Sequence, residues 1–152
     1  ESVPDDFIDY VFAVMALAGE DLVLHEDGNQ LRDYVNVHDV VDAHLAVLNS
    51  PKADFEAFNV GSGKATRVRE LAETIAKEVG AATSIQTPGL YRIGAPRHSP
   101  SDNAKLRALG WAPKRAIEDG VREYVEWIRK HPEAEGFLRA TLATMRKKKL
   151  LR

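Results

Sequence analysis

Gln30-Leu31-Arg32-Asp33-Tyr34-Val35-Asn36-Val37-His38-Asp39-Val40 is the stretch on which the fold reading turns. It sets an arginine beside a carboxylate and runs through the β-type residues 34–37. It ends on His38-Asp39, which offers an N-cap to a helix over 40–48 that Ser50-Pro51 closes. Upstream, Leu22-Val23-Leu24 is a second β-type run, and Glu26-Asp27-Gly28-Asn29 between the two has Asp-Gly turn chemistry, so the pattern predicts a β-hairpin. Further upstream, residues 5–17 place Phe7, Ile8, Val11, Phe12 and Met15 at helical spacing between a Pro4-Asp5 start and Gly19 as a stop.

Downstream, residues 57–60 read as a strand closing in Gly61-Ser62-Gly63. Thr66 caps a helix over 67–79, whose Val68, Leu71, Ala72, Ile75, Ala76 and Val79 follow an i, i+3, i+4, i+7 ladder that Gly80 ends. Residues 83–86 predict a further strand. The Gly- and Pro-punctuated residues 88–100 predict a long loop, and a loop of that length in a compact domain is functional or disordered. A short helix over 102–109 with Asp102 as its cap, a turn at Trp111-Ala112-Pro113 with Trp111 as a packing anchor, and a helix over 117–128 follow. The last segment, residues 133–151, is helix-prone and ends in Arg146-Lys147-Lys148-Lys149. The fold class read from this order is α/β: helices on a small sheet that includes the hairpin, with parallel strands elsewhere. Residues 1–132 form one lobe, and 133–152 an additional helix with a basic end.

At 152 residues, 44% hydrophobic and 29% charged, the chain can bury a core of ordinary size. A net charge of −2 supplies no field that would draw in nucleic acid or an anionic membrane, so the expected partner is a small molecule. The basic residues near the C-terminus complement a helix dipole. Without cysteine there is neither a disulfide nor a thiolate metal site, which fits a cytoplasmic protein. No apolar run approaches the ~20 residues of a membrane span, and the acidic opening lacks the basic start of a signal peptide. The chain starts without Met and runs straight into a helical pattern, as a fragment or processed product would.

Arginine carries a planar fork of donors that grips phosphate oxygens bidentately and stays charged at any relevant pH, so two of them converging can hold a diphosphate. Arg32 stands at a strand start and Arg92 in the long loop, with Tyr91 beside it and Arg97-His98 adding positive charge nearby. Arg32, Arg92, Tyr91 and Arg97 are therefore the candidate substrate-binding residues. His25, His38, His44, His98 and His131 are scattered without ligand spacing, so no metal site is expected.

In their order, these segments resemble the C-terminal, substrate-binding portion of the extended short-chain dehydrogenase/reductases, the NAD-dependent nucleotide-sugar epimerases and dehydratases of the UDP-glucose 4-epimerase type. Gln30-Leu31-Arg32-Asp33-Tyr34 matches that family's Gln-x-Arg-Asp-Phe/Tyr motif, and Arg92-Ile93-Gly94 its later Arg-x-Gly-Asp. Between and after them lie Asp39-Val40-Val41-Asp42-Ala43, Asn59 to Gly63, Asp102-Asn103-Ala104-Lys105 and Leu109-Gly110-Trp111-Ala112-Pro113, all in the family's order. The resemblance implies that Arg32 and Arg92 contact the diphosphate of a nucleotide sugar. It also implies a chain equivalent to the C-terminal lobe and lacking the N-terminal Rossmann part.

Two departures matter. Ala95 stands where the family has a carboxylate that accepts hydrogen bonds from the nucleotide ribose, and His25-Glu26-Asp27-Gly28 replaces Tyr-Gly-Asp-Gly. The chain also has no Gly-rich strand-to-helix turn of the dinucleotide type, and none of Tyr10, Tyr34, Tyr91 and Tyr124 has a lysine four residues on. No catalytic or cofactor-binding residue is therefore expected here. NAD is expected only for a full-length relative, through a separate Rossmann lobe. Three readings follow: the substrate-binding part of such an enzyme, a stand-alone nucleotide-diphosphate-binding module, or an interaction protein with a vacant pocket. The surface that a partner lobe would cover is expected to be apolar and prone to homo-oligomer formation.

Overall fold

A computed structural model describes residues 8–80, 82–91, 94–131 and 136. The proposed C-terminal helix, Gly136 apart, lies outside the described residues, as do residues 5–7 of the first helix. Among the described residues, five α-helices and five two-residue strands make an α/β arrangement, and the chain divides into two compact units.

The first unit draws on residues 1–30, 67–97 and 121–152. Helix α1 (Ile8–Leu17) packs against α3 (Val68–Val79). From α1, Phe12, Ala13, Val14 and Ala16 are buried, and from α3 Val68, Leu71, Ala72 and Ile75 are buried at the spacing that puts one face of a 3.6-residue helix inward. Each large apolar side chain removed from water contributes about 1.5–3 kcal/mol. Gly80 ends α3 in the left-handed region at φ +71°, its N–H donating to Ala76 O. Strand β1 (Leu22–Val23) pairs in parallel with β4 (Ile85–Gln86), Leu22 opposite Ile85. Asp21 fastens the same edge by accepting from Ser84 N–H and the Gln86 side-chain amide.

The second unit comprises residues 31–66 and 98–120. Its sheet has the order β3 (Thr66–Arg67), β2 (Leu31–Arg32), β5 (His98–Ser99), with β2 and β5 parallel. Helix α2 (Val37–Leu48) is followed by a 3-10 turn (Pro51–Ala53), α4 (Ala104–Arg107) and the first turn of α5 (Ile117–Arg129). Ala43, Leu106 and Trp111 form the buried cluster, with Phe58, Val60 and Leu109 packed against it. Trp111 is the packing anchor expected of it, its indole N–H donating to Asp39 O at 3.2 Å.

The β-hairpin does not form. β1 and β2 enter different sheets, each satisfied by a parallel partner far along the chain. The Asp27-Gly28 turn is present, with Gly28 at φ +74°, but its carbonyls serve another end: Gly28 O and Gln30 O accept from Arg69 N–H and Val68 N–H at the start of α3. Nor does residue 34 open a strand that lasts to 37. The Asn36 side chain accepts from His38 N–H at 2.9 Å and starts α2 at Val37, so Asn36 is the cap in place of His38-Asp39. Residues 57–60 are in no strand, Phe58 and Val60 instead contributing to the Trp111 cluster.

Candidate functional site

Arg32 lies on β2, half-buried, one guanidinium nitrogen donating to Leu31 O at 3.0 Å. Its strand is held in place by the register with β5 and by Leu31 N–H, which donates to His98 Nδ1 at 3.2 Å. The residue after it does more than sequence suggests. Asp33 accepts from Ser62 N–H at 2.6 Å and Gly63 N–H at 2.8 Å, binding the 61–63 turn to the end of β2. Asn103, buried, donates to Gly61 O and accepts from Arg107 Nε, whose guanidinium also reaches Ser62 O. Gly61 is there because nothing larger fits: a Cβ would stand 2.5 Å from Ser101 Cβ and 2.6 Å from Asp33 Oδ2. Asp102 accepts from Ala104 N–H, a capping contact at α4.

A second polar node lies at Asp39, 1% exposed. Its carboxylate accepts from Lys114 N–H, Arg115 N–H and the Arg115 guanidinium, the last at 2.6 Å. Burial, the largest single influence, opposes ionisation of Asp39, yet these donors together hold its carboxyl below the ordinary carboxylate range. The node joins α2 to the segment that leads into α5. A cavity of about 330 Å³ opens beside it, lined by Asp42, Leu45, Asn49, Trp111 and Lys114 among others.

The remaining candidates belong to the first unit. Tyr91 is exposed, and Arg92 lies outside the described residues. Arg97 is engaged by two carboxylates: it pairs with Glu26 through one nitrogen and with Asp27, at 2.7 Å, through the other. The Arg97 fork, aided by Asn29 N–H, holds the Asp27 carboxyl well below its usual range, and Asp27 in turn raises the Arg97 guanidinium. Glu26 N–H donates to Leu90 O, and buried Gln30 braces the same turn by donating to His25 O while its Oε1 has no partner among the described residues. Sequence reasoning did not find Glu26 and Asp27 as partners of Arg97. The signal available was an acidic pair in a turn with no other assigned role.

The Gly61-Ser62-Gly63 turn does not fit the phosphate of a dinucleotide cofactor. The 61–63 turn has already given the Ser62 and Gly63 amides, the donors a phosphate would need, to Asp33. Among the described residues, no group of three or more His, Asp or Glu side chains could hold a metal ion, and no helix is long and apolar enough to cross a membrane.

Helix α2 is apolar on two sides. Ala43 faces the Trp111 cluster, while Val37, Val41, Leu45 and Leu48 stand 52% or more exposed. Their spacing of four, four and three residues makes a single stripe. An exposed aliphatic stripe opposite the buried Ala43 face leaves apolar surface in water that a partner surface could cover.

Comparison with known proteins gives a consistent set of relatives. Residues 1–61 match the NAD dependent epimerase/dehydratase family. The dTDP-L-rhamnose 4-epimerase of Burkholderia thailandensis is 37% identical over 119 residues, covering 78% of this chain and 32% of that protein. The UDP-glucose 4-epimerase of Mycolicibacterium smegmatis is 39% identical over 122 residues, 78% of this chain and 38% of that protein. Among solved structures, the UDP-glucose 4-epimerase of Thermotoga maritima with UDP-glucose superposes with a TM-score of 0.71 at 35% identity, over 81% of this chain and 39% of that one. The Thermus thermophilus UDP-glucose 4-epimerase in complex with NAD gives a TM-score of 0.71 at 30% identity, over 86% and 42%. The chain thus spans between about a third and two fifths of the length of the relatives it matches.

Proposed function

Because this chain belongs, over the part it spans, to the NAD dependent epimerase/dehydratase family, we propose that it is the substrate-binding part of a nucleotide-sugar epimerase or dehydratase and is not catalytic alone. Arg32 and Arg92 hold the diphosphate, with Tyr91 next to Arg92 in the sequence. A separate Rossmann portion supplies NAD and the proton-abstracting base, which this chain's own residues do not provide. The observation that carries the reading is the coverage: about four fifths of this chain aligns with only about two fifths of the Thermotoga epimerase. The α2 stripe supports it, because four exposed aliphatic side chains on one helix face are an unfavourable surface until something covers them.

Calorimetric titration with UDP-glucose and with a thymidine diphosphate sugar tests the proposal. Each lost arginine removes a charge-assisted contact of about 1.5–3 kcal/mol, so Arg32→Ala and Arg92→Ala should each weaken binding roughly 10- to 100-fold. A wild-type chain that gives no heat with either sugar nucleotide, or variants that bind as well as it does, would refute the reading. Ala95 favours one second reading, an interaction protein whose pocket has fallen vacant, since the ribose there loses a charged acceptor. Absence of any response in the wild type is its expected result.

A further inference from the structure

Leu31 is held at both of its backbone polar groups by side chains. Its N–H donates to His98 Nδ1 at 3.2 Å, and its carbonyl accepts from one Arg32 guanidinium nitrogen at 3.0 Å. In a parallel ladder a strand N–H ordinarily meets a carbonyl of its neighbour, and here an imidazole receives it instead. A ring nitrogen accepts only while it carries no proton, so His98 keeps its proton on Nε2 and turns Nδ1 to the strand. The register sets the residues level: Leu31 lies opposite His98, and Arg32 opposite Ser99. Strands β2 and β5 are two residues each, so few ladder bonds join them and each one counts.

Arg32 is half-buried, and the bond that it makes to Leu31 O turns its guanidinium back along its own strand. An arginine fork grips phosphate oxygens from a fixed direction, so its grip depends on the backbone that aims it. The His98 contact is exposed, and one hydrogen bond open to water adds only modestly to global stability. Its effect is local, on the conformational freedom of Leu31. A segment ordered before its ligand arrives spares the ligand the entropic cost of ordering it. We propose that His98 is a positioning residue for anion binding: through the Leu31 amide it fixes the part of β2 that aims the Arg32 guanidinium at the diphosphate of a nucleoside diphosphate sugar. The assignment rests on the function proposed above and extends it to a residue that acts without touching the ligand.

Two measurements on the whole chain test it, hydrogen exchange at the Leu31 amide and calorimetric titration with UDP-glucose. His98→Phe keeps a planar ring and loses the acceptor, whereas His98→Asn restores a side-chain acceptor near the Nδ1 position. In His98→Phe the Leu31 amide should exchange faster while the melting temperature holds, and the UDP-glucose dissociation constant should rise about fivefold, as for one ordinary hydrogen bond. In His98→Asn both should return most of the way to wild type. In an Arg32→Ala background His98→Phe should weaken binding no further, because His98 acts only through Arg32. Unchanged Leu31 exchange in His98→Phe overturns the link to the strand. Faster exchange with undiminished binding overturns the positioning role, as does a His98→Asn variant that recovers no affinity. A further fivefold loss in the Arg32→Ala background overturns it too, by showing that His98 reaches the ligand on its own. A wild type that ignores UDP-glucose overturns the role together with the function it rests on, an outcome that the exchange measurement, needing no ligand, keeps apart from failure of the link.

Discussion

Replacing Asp39 with asparagine removes one charge and leaves the shape of the α2 start unchanged. In the native chain one oxygen, Oδ2, accepts from Lys114 and Arg115 N–H at 3.1 Å each, and Oδ1 accepts from the Arg115 guanidinium at 2.6 Å. An asparagine can keep a carbonyl oxygen toward the two amides only by turning its NH2 group toward the guanidinium, donor against donor. A hydrogen bond to a charged group is worth about 1.5–3 kcal/mol. Arg115, a third exposed, can turn to water and limit the damage, so a loss of about 2 kcal/mol is expected. For a chain of this length that lowers the melting temperature by roughly 4–8 °C. The effect has a pH signature. A carboxyl held below its unfolded value, near 3.9 for aspartate, contributes fully above that value and fades as pH falls through the lower folded one. The gap between wild type and Asp39→Asn should therefore be constant from pH 8 to about 5 and close below about 4. Thermal melts followed by circular dichroism across that range measure it. A shift under about 2 °C at pH 7, or a gap that persists undiminished to pH 2.5, would refute the account.

Other outcomes follow from the same geometry. Gly61→Ala drives a methyl group into Ser101 and Asp33 and should cost about 1–3 kcal/mol by urea unfolding. Gly80→Ala meets no atom within 4 Å and bears only the strain of φ +71°, so about 1 kcal/mol is expected and the two variants should rank in that order. Val41→Lys with Leu45→Lys should leave stability within about 0.5 kcal/mol while abolishing self-association of the isolated chain, read by light scattering after size exclusion. A wild type that is strictly monomeric at high concentration would show that the α2 stripe does not drive association.

Helix α3 was legible because its signal is local: Val68, Leu71, Ala72 and Ile75 repeat at the helical period, and Gly80 supplies the left-handed stop. Trp111, flanked by glycine and proline, was legible as an anchor for the same kind of reason. The hairpin misled because an Asp-Gly turn between two β-type runs normally means local pairing. Here each run is two residues long, too short to make a ladder with its neighbour, and backbone bonds to distant segments prevail. Arg32 was visible as a strand residue, whereas the role of Asp33 in tying down the 61–63 turn depends on two segments 29 residues apart. Asp39 looked like a cap and is instead buried under Arg115, 76 residues on, a pairing that no spacing rule encodes.

Both parallel pairings have a bearing on how the molecule comes off the ribosome. Leu22 waits for Ile85, and Leu31 for His98, so neither pair can close until more than sixty further residues have been made. During that interval α2, a local structure able to form early, presents its aliphatic side chains with nothing yet assembled around it. Long-range strand pairing of this kind is intrinsically slow and leaves the unpaired segments exposed to aggregation while it is pending.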